Sequence, residues 1–192
     1  MTPEQAAREK SLGGIFVFSA YVLWGFLPLY FVSLAPTTPW EVVGWRILLS
    51  LVFCVALLAI TRGWGRMRVT LRDRRLMLWT LLAGLLIYVN WQLFLIGTLS
   101  GHVVETSLGY FINPIATVLL GVIVLKERLR LAQWIAVGIA GLAVVVIIVA
   151  VGSVPWIALG LAASFATYGL VKKRIGPSVD AVSGLTLESF WL

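Results

Sequence analysis

The sequence is poor in charge, in cysteine and in histidine. Only 12% of its 192 residues are Asp, Glu, Lys or Arg, whereas 60% are hydrophobic and the mean hydropathy is +1.00. A soluble domain carries roughly a quarter charged residues, so an ordinary soluble globule and a disordered chain are both excluded. The one cysteine, Cys54, lies within an apolar run, which rules out a disulfide framework and a multi-cysteine metal site. With His102 as the only histidine, no His/Cys/Asp cluster offers a metal site and no Ser–His pair is placed for hydrolysis. No GxxxxGK[ST] loop is present, so an ATP-driven pump is unsupported and no cofactor is expected. The apolar runs do not alternate with polar residues, which argues against the period-2 strands of an outer-membrane barrel. The first run is about 23 residues long, against the 7–15 of a signal-peptide core, and no clear cleavage motif follows it.

What the chain does have is a series of runs matching the roughly 20 apolar residues a helix needs to cross a bilayer. They cover 12–34, 40–61, 76–99, 103–125, 131–151 and 155–171, with a seventh beginning near Pro177 and running to Leu192. The expected fold is all-α, a polytopic transmembrane helix bundle in the lipid bilayer. The net charge of +7 would suggest nucleic acid in a soluble protein, but here it reports topology. Arg8 and Lys10 precede the first span, and six arginines between Arg62 and Arg75 follow the second. Lys126, Arg128 and Arg130 separate spans four and five, and Lys172, Lys173 and Arg174 follow span six. Fourteen of the fifteen cations therefore share one side, which the positive-inside rule makes cytoplasmic, together with the N-terminal segment 1–11. Arg46, inside the second span, is the exception. No nucleic-acid partner is expected.

A weak internal repeat joins SAYVLWGF at 19–26 to ASFATYGL at 163–170. Each carries aromatic-x-x-aromatic-Gly, and an acidic residue, Glu41 or Asp180, opens the following span. The spacing makes the unit five spans long. An odd unit inverts the next copy, as in many secondary transporters. Residues 12–151 would form the first five-helix repeat and 155–192 an incomplete second one.

Charged and polar groups inside a membrane are functional candidates by default. At ~1.5 Å of rise per residue, Arg46 lies roughly 9 Å below the outer end of its span. Asn90 lies about 13 Å down span three and Gln92 about 10 Å. On span four Glu105 is near the outer end, Tyr110 about 10 Å in and Asn113 about 15 Å in. Trp24 on span one is also near mid-depth. These groups converge on the outer-to-middle layer, and the cytoplasmic halves read as almost purely apolar. Trp24, Arg46, Asn90, Glu105, Tyr110 and Asn113 are the candidate substrate-binding residues. Plainer readings stand beside them. Arg46 can snorkel to headgroups or pair with Glu41, and Glu105 can simply favour the dipole of its own first turn. Asn90 and Gln92 sit about 200° apart, so one of them is expected to join helices rather than face a cavity. His102 reads as a solvated loop residue. Trp40, Trp64, Trp79, Trp134 and Trp156 fall at span ends, like an interfacial belt. Pro114 in mid-span frees the Tyr110 carbonyl and, with Gly109, marks a candidate kink or gate, unless the kink serves packing alone.

Trp24-Gly25, NWQLF at 90–94, GHVVETSLGYFINP at 101–114 and LLGVIVLKERL at 119–129 resemble the RarD-type permeases, in the EamA branch of the drug/metabolite transporter superfamily. The resemblance runs from about Leu12 to the end and is most specific over 101–129. It implies a ten-helix inner-membrane permease of two inverted five-helix repeats that moves small metabolites or drugs. Against that pattern the chain stops inside helix seven, with about three and a half helices absent, as a truncated product would. The expected function is secondary transport, not enzymatic chemistry, by alternating access in the cytoplasmic membrane. Arg46 would attract an anionic group, and Glu105 would bind a proton or a substrate amine. A non-transporting fragment or membrane assembly partner is the alternative. Proton coupling and a homodimer are left open.

Overall fold

The structure, a computed structural model, describes residues 3–34, 36–126, 129–152 and 154–192. Arg128 lies outside the described residues, as do the side chains of Arg8 and Lys10. The described residues form eight helices: α1 Pro3–Ser33, α2 Pro39–Ile60, α3 Trp64–Arg72, α4 Arg74–Leu99, α5 Val103–Leu125, α6 Leu131–Val151, α7 Trp156–Ile175 and α8 Ala181–Phe190. The chain is an all-α, polytopic helical bundle. Contacts divide it at Thr37/Thr38 into a first unit holding α1 and a second unit of residues 38–192.

Local chemistry accounts for the helix starts. Thr38 and Glu41 form a reciprocal capping box around Pro39 at the head of α2. Asp73 accepts the Arg75 and Leu76 N–H groups at 2.8 and 3.2 Å to open α4, and Asp180 accepts that of Ser183 at 3.2 Å to open α8. The arginine-rich connection after α2 is not all irregular. It contains the nine-residue helix α3, too short and too charged to register as an apolar run.

Among the described residues four helices are long and apolar enough to cross a bilayer: those covering Leu12–Ser33, Pro39–Ile60, Arg74–Leu99 and Val103–Val124. A further apolar stretch, Leu131–Val146, is shorter, and α7 is absent from this group although a sixth span was expected there. Lys172, Lys173 and Arg174 in its last turn lower its apolar content. Helix α7 lies against both α4 and α5 and buries a small-residue face, Ala158, Ala162, Ser164 and Ala166. Association in lipid rests on such close backbone approach rather than on apolar side chains. A Cβ on Gly109 of α5 would stand 2.9 Å from Leu161 Cβ and 3.1 Å from the Ala158 carbonyl oxygen. One on Gly160 would stand 2.8 Å from Leu93. Gly97 of α4 meets the Thr106 methyl group and Ile157 in the same way. Helix α8 packs on α2 and α4, with Gly84 against the backbone of Glu188.

Candidate functional site

Helices are rigid rods, so distance from a helix end fixes depth. Arg46 is seven residues into α2, Trp91 eight from the end of α4, and Tyr110 seven into α5. All three therefore lie about 10–12 Å from that end of the bundle. The structure brings them together. The Arg46 guanidinium carbon sits 3.6 Å from the centroid of the Trp91 ring, a cation–π contact in which the indole face covers one side of the cation. Trp91 is edge-on to Phe94 at 5.7 Å, and Phe94 edge-on to Tyr110 at 5.9 Å, making a ladder of rings from α4 to α5. The Tyr110 and Tyr168 hydroxyls are within electrostatic range of Arg46. Among the described residues no carboxylate pairs with Arg46, and its N–H donors have no hydrogen-bond acceptor. Pairing with Glu41 is overturned, because the Glu41 carboxylate accepts the Thr38 N–H at 2.9 Å and the Thr38 hydroxyl at 3.0 Å.

The other expected residues divide. The Asn90 amide nitrogen donates to the Leu161 carbonyl oxygen and to Ser164 Oγ, both at 3.0 Å, so this buried residue joins α4 to α7. Gln92, on the opposite side of α4, is buried with neither amide atom hydrogen-bonded among the described residues. Glu105 Oε1 accepts the Ile157 N–H at 2.8 Å. It thus completes the N-terminus of α7, whose own N-cap residue, Pro155, has no side chain able to do so. It stands in the first turn of α5, as expected, and serves the neighbouring helix start as well. Asn113 shares the face of Tyr110 one turn on and accepts the Thr117 hydroxyl at 3.3 Å. Helix α5 continues through Pro114 without interruption, and Gly109 is a packing position against α7 rather than a free hinge. Trp24 stands on α1, edge-on to Tyr21 at 5.8 Å.

A second polar cluster escaped the sequence reading, which held the cytoplasmic halves to be apolar. Glu188 of α8 is 1% exposed. It accepts from Lys172 Nζ at 2.7 Å and from the Tyr168 hydroxyl at 3.1 Å. Lys172, first counted among the topology-setting loop cations, is therefore half of a salt bridge inside the bundle. Tyr168 links the two clusters, since it lies within electrostatic range of Arg46 as well. The signal was present in the sequence as a carboxylate eight residues past Asp180 in an apolar run. Trp79, expected in the interfacial belt, instead packs on the core of Ala83, Val171 and Ile175, with Arg174 over its ring at 5.1 Å. Trp40, Trp134 and Trp156 are exposed, as belt residues are. Among the described residues no group of acidic, histidine and cysteine side chains is arranged to hold a metal ion.

The model of the EamA-like transporter family matches residues 11–149. The chain is 47% identical to a protein RarD of Streptomyces exfoliatus over 172 residues, which is 89% of this chain and 54% of the relative. It is 40% identical to a protein RarD of Salmonella typhi over 97% of this chain and 63% of that one. It is also 38% identical to an uncharacterized transporter of Vibrio cholerae over 100% of this chain and 62% of that one. The chain thus spans between 54% and 63% of the length of these curated relatives. No solved structure matches it. Sequence, helical architecture and relatives agree that this multi-pass membrane protein belongs to the EamA-like transporter family.

Proposed function

We propose that the chain belongs to a secondary transporter of small metabolites or drugs in the cytoplasmic membrane, with its N-terminus on the cytoplasmic side. Substrate sits at Arg46, Tyr110 and Asn113. The observation that carries this reading is Arg46: an unpaired cation inside a span, held on the face of Trp91. Burying a charge in a membrane is expensive, and a protein that keeps one without a partner has a use for it. Asn90 and Glu105 act as positioning residues, fixing α7 against α4 and α5. Residues 12–151 are the first inverted repeat and 155–192 belong to the second, and access alternates by rocking of helices around the fixed α4–α5–α7 contact. Kinship with proteins named as transporters supports this reading.

Alternating access can be tested before any substrate is known. On a Cys54→Ser background, Tyr110→Cys is treated with a membrane-impermeant maleimide in spheroplasts and in inside-out vesicles. Labelling from both sides is expected. Labelling from one side only would reject alternating access at this position.

A further inference from the structure

The cluster around Arg46 also bears on what it binds, and this step rests on the transport reading above. The sequence contains eight acidic residues. Of these, Glu41 and Asp73 are engaged at the helix starts of α2 and α4, and Asp180 at that of α8. Glu105 is held by the N-terminus of α7, and Glu188 by Lys172 and Tyr168. The side chains of Glu4, Glu9 and Glu127 lie outside the described residues. Among the described residues of 38–192, every carboxylate is thus engaged elsewhere, and none is free beside Arg46 to take a substrate ammonium group. Among the described residues, the Lys172 cation of the neighbouring cluster is neutralised by Glu188 and offers no second free charge beside Arg46.

We infer that the Arg46 site takes a planar aromatic monoanion, an arylcarboxylate being the simplest member. The carboxylate receives two parallel N–H bonds from the guanidinium edge, the fork geometry that favours Arg over Lys. Its ring lies along the ladder of Trp91, Phe94 and Tyr110, where offset or edge contacts add to affinity. An amino acid would bring an ammonium group with nothing to receive it. A dianion would bring a second charge with no second cation. An aliphatic anion would satisfy Arg46 and leave the ring ladder without a role.

The test uses the full 192-residue chain in detergent and four probes: benzoate, acetate, phenylalanine and benzylamine. Binding is read as the ligand-dependent rise in unfolding midpoint. Benzoate is expected to bind about tenfold more tightly than acetate, the equivalent of one good aromatic contact, with no shift from phenylalanine or benzylamine. Arg46→Gln should abolish the benzoate shift and Arg46→Lys should weaken it at least tenfold, with circular dichroism confirming intact helices. Since the wild-type panel stands alone, an unfolded variant does not rescue the idea. Binding of phenylalanine or benzylamine as tight as that of benzoate, equal binding of acetate, or no shift with any probe overturns it. Flux in proteoliposomes separates the two claims. Benzoate that binds and is not carried defeats transport and leaves the substrate class standing. Phenylalanine carried in an Arg46-dependent way defeats the class and leaves transport standing.

Discussion

The Lys172–Glu188 pair is asymmetric, and the asymmetry sets a measurable order of stabilities. The Lys172 side chain is 32% exposed and that of Glu188 2%. Removing one partner of a buried pair costs about 3–5 kcal/mol when the charge left behind has no compensation. Lys172→Met leaves such a charge: the Glu188 carboxylate keeps only the Tyr168 hydroxyl at 3.1 Å and cannot reach water. It should lose about 3–5 kcal/mol. Glu188→Gln retains an acceptor for Tyr168 and leaves a lysine whose stem can carry its ammonium outward. Its loss should be about 1.5–3 kcal/mol, that of one charge-assisted hydrogen bond. Combining both changes should cost less than the sum of the two, because the double variant contains no stranded charge. The assay is equilibrium unfolding in mild detergent at neutral pH, with all four proteins measured under one condition. Equal losses for the two single variants, or a larger loss for Glu188→Gln, would mean that the burial difference does not govern this pair.

Two other expectations concern helix positioning. Asn90→Leu removes the hydrogen bonds to Leu161 and Ser164 and should cost about 0.6–1.7 kcal/mol, the range of interhelical polar contacts in membranes; a stabilised variant in the same unfolding assay would contradict that role. Asp180, in the connection before α8, titrates below the ordinary aspartate value: partial burial raises its carboxyl, but hydrogen bonds from Ser183 and the Arg66 charge outweigh this. A depressed folded-state value stabilises above the unfolded one and is lost as pH falls through it. The wild type should therefore lose stability below about pH 4 relative to Asp180→Asn, and parallel pH profiles for the two would refute the assignment.

Depth was legible in the sequence, and direction around each helix was not. Counting residues from span ends sufficed to put Arg46 and Tyr110 in one layer, because the rise per residue barely varies. Residues 90, 91 and 92 are separated by about 100° steps, and only the packing of α7 and α2 determines which of them meets what. Asn90 turns to α7, Trp91 to Arg46, and Gln92 away from both. Glu105 finds its acceptor role 52 residues along the chain, at a helix start that Pro155 leaves uncapped. No local pattern announces such a partner. Glu188 was readable as a charge in an apolar run, but its partner Lys172 looked like an ordinary loop cation until α8, packed on α2 and α4, was seen to turn Glu188 toward it. The apolar measure that finds spans also passes over α7, whose last turn carries Lys172, Lys173 and Arg174.

The account rests on Arg46 carrying an unpaired charge that takes an organic anion. The most direct measurement is side-chain nuclear magnetic resonance of the 21.1 kDa chain, labelled with nitrogen-15 at arginine, in micelles with and without benzoate, and with Arg46→Lys identifying the Arg46 signal. The account predicts that benzoate shifts the Arg46 guanidinium resonances saturably while those of the arginines outside the spans stay in place. An Arg46 signal that does not respond, or uniform small shifts across all arginines, would contradict it.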